Sequence, residues 1–286
     1  MNITKCIFYT GCALLLTASG CQKESVEPGP DIFFSLERAG NTIQFKNQTT
    51  GATSYKWDLG DGTTSTEESP MHTYPGKGKY VVTLYATTGS GKTVEGSTVL
   101  RIDKTSPVKL DDNTLDDWAE VTQNVVESGA GGGIFKRAKY DYDSENIYIY
   151  LEMSTPFSPE TIFDFYLDTD NDATTGLLTG YFPNGGYDVL LEGALLTGWF
   201  DVFYHKGGQT DFSFDAQSIS EFYTVGHKMT ANGRYQFEMK LNRSKLKGLS
   251  GKGMRIGITA TSSDWAIEYG TTPDKTTSGF FLNLDE

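Results

Sequence analysis

Cysteine is nearly missing from this 286-residue chain, and its three copies, Cys6, Cys12 and Cys21, all fall near the start. Nothing beyond Cys21 can form a disulfide, which excludes a stapled mini-fold, a catalytic thiolate and a cysteine zinc site in the rest of the chain. Positive charge is also short: 24 Lys and Arg face 37 Asp and Glu, for a net charge of −13. Nucleic-acid affinity comes largely from basic side chains that neutralise phosphates, so that partner class is excluded, and acidic glycans are disfavoured with it. The one sustained apolar run, about Ile7 to Ala18, is shorter than the roughly 20 residues that span a bilayer. Catalytic signatures are missing as well: there is no G-x-S-x-G elbow, H-E-x-x-H helix, Walker loop or G-x-G-x-x-G after a strand. His205 and His227 stand alone, and Gly91-Lys92-Thr93 lacks the glycine pattern of a phosphate loop. Helical stretches are scarce, whereas aromatics reach 13% and glycine numbers 32. Such a composition is all-β.

Lys5, the apolar run and the small residues Ala18-Ser19-Gly20 before Cys21 have the design of a secretory signal peptide over residues 1–20. The segment resembles a bacterial lipobox, which implies that Cys21 is lipidated and becomes the first residue of the mature chain. Cleavage there leaves 23 basic against 37 acidic side chains, a balance of −14. Gln22 in place of Asp after the cysteine implies transfer to the outer membrane, and Lys23 and Glu24 resemble surface-export signals. The expected location is the outer membrane, lipid-anchored and facing outwards. Multiple acylation anchors stably where a single chain does not.

Residues 21–31 carry Pro28, Gly29 and Pro30 without apolar periodicity and read as a tether. From 32 to 104, short alternating runs separated by turn residues predict a small β-sandwich. Tyr80, Val82, Leu84 and Ala86 share one face of a strand there, and Val81, Thr83 and Tyr85 the other. Trp57-Asp58-Leu59-Gly60-Asp61-Gly62, Ser69-Pro70-Met71-His72-Thr73-Tyr74 and Gly78-Lys79-Tyr80-Val81-Val82-Thr83-Leu84 resemble a PKD domain in order and spacing. The residue types point to structural roles: Trp57 in the core, Asp58 and Asp61 accepting turn amides, Gly60 and Gly62 at positive φ, and Tyr74 across the corner. The resemblance implies a spacer or partner surface in which His72 is structural.

Thr105-Ser106-Pro107 marks a boundary, and residues 108–286 form a second, larger module. A hairpin is expected from Phe135 to Met153 around Asp143-Ser144-Glu145-Asn146. Further strands are predicted at Phe163–Leu167, Tyr187–Glu192, Leu195–Tyr204, Glu221–Val225, Arg234–Leu241, Arg255–Ala260 and Phe280–Leu284, with a helical turn near Asn242–Leu246. The predicted architecture is a jelly-roll-like β-sandwich. Three pieces of it are similar to family-9-like carbohydrate-binding and DOMON-like sandwiches. They are the acidic opening before Trp118, the strand Ile147-Tyr148-Ile149-Tyr150, and Tyr235-Gln236-Phe237-Glu238-Met239-Lys240-Leu241 before Ser244-Lys245-Leu246. The resemblance implies sugar binding as a group tendency.

Within this module Asp168-Thr169-Asp170-Asn171-Asp172 is the densest set of oxygen ligands. Alternate carboxylates on a tight loop can converge on a hard cation, so Asp168, Asp170 and Asp172, completed by Asp188 or Glu192, are candidate Ca²⁺ ligands. Ala173 at the sixth position, where an EF-hand needs glycine, makes it a different loop. Trp199 and Trp265 are candidate sugar platforms because a pyranose C–H face lies flat on an indole. Asp201, Tyr204 and His205 accompany the first, and Asp264, Glu268 and Tyr269 the second; Tyr181 and Phe182 in a Gly- and Pro-rich loop are a third option. Together these readings describe a surface lipoprotein that binds neutral glycan, with the membrane, through its lipid, and an outer-membrane uptake complex as partners. The alternatives are an adhesion or scaffold protein, a polysaccharide-degrading enzyme, and a haem binder using Met153 or His205.

Overall fold

The computed structural model describes residues 29–249 and 252–285. The signal segment, Cys21 and most of the tether lie outside them. Among the described residues nearly all regular structure is β, with four single-turn helical segments. No helix among them is long and apolar enough to cross a membrane.

The first sandwich is built from β1 (Phe34–Ala39), β2 (Thr42–Asn47), β3 (Ser54–Asp58), β4 (Thr64–Ser65), β5 (Met71–Thr73), β6 (Gly78–Thr87) and β7 (Thr93–Ile102). They form two sheets, ordered β1-β2-β5 and β4-β3-β6-β7. Trp57, Phe45, Val82 and Leu84 fill the space between. The turn after β3 closes on its own side chains: Asp58 accepts from the Gly60 amide at 3.0 Å and Asp61 from the Thr63 amide at 3.0 Å. Gly60 and Gly62 take φ of 81° and 90°, open to glycine without strain. Tyr74 donates to the Leu59 carbonyl at 2.9 Å. His72 lies 2.7 Å from Asp61 and edge-on to Tyr74. Burial alone would raise the Asp61 carboxyl, but the bonds from Thr63 and His72 outweigh it and bring it down to about 2. Thus Asp58, Asp61, His72 and Tyr74 are each used within the turn and corner.

The second sandwich starts with β8 (Val125–Glu127), β9 (Phe135–Tyr142), β10 (Asn146–Ser154) and β11 (Ile162–Asp168). It continues through β12 (Val189–Gly193), β13 (Asp201–His205), β14 (Phe214–Gln217), β15 (Tyr223–Ala231) and β16 (Arg234–Asn242). It ends with β17 (Gly253–Thr261), β18 (Glu268–Thr272) and β19 (Phe280–Asn283). A five-stranded sheet, β15-β16-β10-β9-β8, faces a seven-stranded sheet, β14-β13-β12-β11-β17-β18, in which β19 also pairs with β17. All pairings are antiparallel, and the chain crosses between sheets after β10, β14 and β16. Phe163, Phe165, Leu167, Leu191, Phe237, Met239 and Ile258 belong to the core between the sheets. Met153 is among them, fully buried and packed into the core.

The run expected as one strand, Leu195–Tyr204, is broken. Leu195–Thr197 forms a helical turn, Gly198 takes φ 95°, and pairing begins only at Asp201. Glycine in that backbone region ends the turn and re-aims the chain. Glu221 likewise has φ 58°, and its strand starts at Tyr223. The turn expected near Asn242 is present, with the Asn242 side chain accepting from the Ser244 amide.

The outer faces of the two sheets are treated differently. Residues 108–121 lie over the five-stranded sheet, where Trp118 packs on Tyr148 and Tyr150. The Trp118 indole donates to Glu238 at 2.8 Å, and the opposite Glu238 oxygen accepts the His227 amide at 3.0 Å. On the seven-stranded sheet the 177–187 loop covers only one end, placing Phe182 and Tyr187 against Tyr166 and Leu190. The other end carries the candidate site.

Candidate functional site: the outer face of the seven-stranded sheet

Side chains alternate along a strand, so Phe163, Phe165 and Leu167 entering the core put Asp164 and Tyr166 outside. In register, Asp164 sits opposite Glu192 on one side and Thr259 on the other. Glu192 is opposite Asp201, and Thr259 opposite Thr271. The result is one straight row, Asp201, Glu192, Asp164, Thr259 and Thr271, across β13, β12, β11, β17 and β18. At about 4.8 Å per strand the row is roughly 19 Å long.

Its groups are poorly satisfied by the protein. Asp164 Oδ2 accepts from Thr259 Oγ1 at 3.0 Å and the Asp164 carboxyl meets that of Glu192, whereas Thr271 Oγ1 in the row, and Thr261 Oγ1 beside it, are buried without a hydrogen-bond partner. Such atoms are uncommon in folded proteins, and each calls for a water, ion or ligand to complete it. Burial pushes the Asp164 carboxyl up to about 7, with the Glu192 charge adding to it. Burial also raises Glu192, while its bond with Asp164 pulls the other way. A carboxyl raised to about 7 can donate as well as accept, so Asp164 offers the floor of the face both functions.

Aromatics border this floor. Trp199 donates its indole N–H to Asp201 at 2.8 Å and leaves 42% of its surface exposed. Tyr181 stacks over Tyr166 in the next row, and the Lys275 ammonium lies 5.0 Å from its ring centre. Lys275 also pairs with Glu268 at 2.6 Å. Trp265 is 51% exposed in the β17–β18 turn, at φ 58°, beyond the Thr261 end of the face.

The structure therefore brings Trp199 and Tyr181 to one face with Trp265 at its margin. Tyr204 is placed elsewhere: one position out of phase with Asp201 and Phe203, it packs against the core and donates to the Lys245 carbonyl at 2.6 Å. His205 is buried, bonded to the Asp211 carbonyl at 2.9 Å and edge-on to Phe214. Sequence reasoning missed Asp164, Glu192 in this setting, and Thr259. The available signal was an acid in the middle of Ile162-Phe163-Asp164-Phe165-Tyr166-Leu167, a strand otherwise apolar on both faces.

Of the acidic loop residues, Asp168, Asp170 and Asp188 converge, each offering an oxygen within 4.8 Å of the others. Asp172 does not join them: exposed, it accepts from the Thr174 amide at 2.9 Å and caps its own turn. Glu192 belongs to the row with Asp164 and is not part of this cluster.

Fold and site together define an all-β protein of two sandwiches, the second with a polar, aromatic-edged sheet face. Residues 26–102 match the family model described as PKD domain, and the first sandwich is a PKD domain. Over 67 residues the chain is 40% identical to collagenase ColA of Bacillus cereus, a match covering 23% of this chain and 6% of that protein. The PKD1 domain of the Vibrio cholerae metalloprotease PrtV is 32% identical, covering 26% of this chain and 98% of that structure, with a TM-score of 0.25. A solved carbohydrate-binding module of the β-sandwich superfamily aligns over 82% of this chain and 96% of its own at 12% identity and a TM-score of 0.28. The curated collagenases ColA and ColQ1 are matched over 6% and 5% of their own lengths.

Proposed function

We propose that this chain is a surface lipoprotein that binds neutral polysaccharide across the outer face of its seven-stranded sheet. The observation that carries the reading is the row from Asp201 to Thr271, with unsatisfied buried oxygens, bordered by Trp199 and Tyr181. Sugar hydroxyls donate and accept, so they match a row of carboxylates and threonine hydroxyls. Indole and phenol rings at the margin take the apolar face of a pyranose. A row of roughly 19 Å suits several consecutive sugars rather than one. The acidic floor, in a chain of net charge −13, disfavours uronic or sulfated glycans.

In this reading Cys21 carries the lipid, the tether and PKD domain hold the second sandwich away from the outer membrane, and captured glycan passes to an uptake complex. Affinity electrophoresis against a panel of neutral and acidic polysaccharides tests the binding. At least one neutral polymer should retard the protein, and Trp199→Ala should weaken that retardation about tenfold, since one stacking contact is worth about 1.5 kcal/mol at most and 1.4 kcal/mol is a factor of ten. Retardation by none of them, or equal retardation of the variant, would refute the proposal. The anchor is tested separately: Cys21→Ala should release the protein from membranes.

A further inference from the structure

Asp168 ends β11, Asp170 follows two residues later, and Asp188 immediately precedes β12. The β11–β12 pairing therefore fixes two of the three on neighbouring strands, and the Asp188 amide donates to the Leu167 carbonyl at 2.9 Å. One carboxylate oxygen from each lies within 4.8 Å of the others. Like charges this close repel unless something positive sits among them. An independent observation comes from Asp168, which is only 1% exposed and whose Oδ1 has no hydrogen-bond partner. Its other oxygen receives a long bond, 3.4 Å, from the Gly186 amide. A buried carboxylate oxygen without a donor is costly unless a cation completes it.

The surroundings support this. Asp188 and Asp170, both acidic, are the neighbours of Asp168 in this cluster. Thr169, between the first two, donates its hydroxyl to the Lys247 carbonyl and its amide to Asp188 at 3.0 Å, so the backbone of the cluster is held before any ion arrives.

We propose that Asp168, Asp170 and Asp188 bind one calcium ion at the base of the 169–187 loop. Three carboxylates and no nitrogen or sulfur make a hard, all-oxygen donor set. Calcium takes 6–8 oxygens in flexible geometry, so mono- or bidentate carboxylates plus water complete the shell, whereas magnesium demands a near-ideal octahedron. The site lies outside the row from Asp201 to Thr271, and its test needs no glycan.

The full chain, stripped with EDTA and dialysed, is titrated with calcium chloride by calorimetry, with its melting temperature read in parallel. One saturable site per chain and a rise of roughly 3 °C or more at saturation are expected. Asp170→Asn and Asp188→Asn should each weaken binding at least tenfold, and Asp172→Asn should bind as the wild type does. An unchanged melting temperature with no saturable heat, or binding untouched by both Asp170→Asn and Asp188→Asn, would overturn the site. Tighter binding of magnesium than of calcium would overturn the choice of ion.

Discussion

A carboxyl group on the outside of an otherwise apolar strand has to be satisfied by something, and at Asp164 the protein supplies only Thr259 and a second carboxyl. Its usual value of 3.8 applies to the unfolded chain, whereas the folded protein keeps the proton up to about 7. Between those limits the folded state binds a proton that the unfolded state lacks, so stability falls as pH rises from about 4 to about 7. Urea unfolding at pH 5 and pH 8 should show a larger loss for wild type than for Asp164→Asn, by an amount on the order of a few kcal/mol. Parallel losses would contradict the raised Asp164 carboxyl. Trp118 is a different kind of residue, buried and tied to Glu238 across the sheet. Trp118→Ala should cost about 3–5 kcal/mol, seen as a lower unfolding midpoint. The acidic opening before this tryptophan was legible as a structural start. The role of Asp164 was not, because its meaning comes from Glu192 and Thr259, which are 28 and 95 residues away in sequence and meet it only through register.

Among elements, the 168–187 segment links the three-carboxylate cluster to Tyr181 on the sheet face. Gly176 makes its return possible: at φ 63°, a Cβ there would lie 2.5 Å from the Gly186 carbonyl carbon. Gly176→Ala should therefore destabilise the protein by about 1–3 kcal/mol and lower calcium and glycan affinity together, a coupling that parallel titrations would read. The alternation of β6 could be read from period alone, and β9 to β11 from apolar runs bounded by turn residues. The short β8, β14 and β18 could not, since three to five residues with mixed burial carry too little pattern. The break at Leu195–Thr197 was hidden because an apolar run looks the same whether it continues as a strand or turns at Gly198. The PKD segment was readable almost residue by residue, because its turn aspartates, glycines, Trp57 and Tyr74 act locally.

At the level of the whole molecule, the Thr105-Ser106-Pro107 boundary carries a built junction. Lys104 pairs with Asp141, donates to the Tyr142 carbonyl at 2.9 Å and lies 4.8 Å from the Tyr142 ring centre. Ser106 donates to the other Asp141 oxygen at 2.6 Å, and Lys77 of the PKD domain reaches the Tyr142 hydroxyl at 3.3 Å. Lys104→Ala should leave each sandwich folded but make the 103–108 segment more open to limited proteolysis, with a larger radius of gyration in small-angle scattering. No sequence period announces such a clasp, since its partners belong to different modules.

The account rests on glycan meeting that face, and the four tryptophans provide the most direct measurement. Trp57 and Trp118 are buried in the two sandwiches, whereas Trp199 and Trp265 are exposed. In a ¹⁵N-labelled sample the four indole N–H resonances can be followed while a bound neutral oligosaccharide is titrated. The Trp199 resonance should shift along a saturating curve, with Trp265 following to a lesser extent and Trp57 and Trp118 holding still. Saturable binding of the oligosaccharide with the Trp199 resonance unmoved would contradict it.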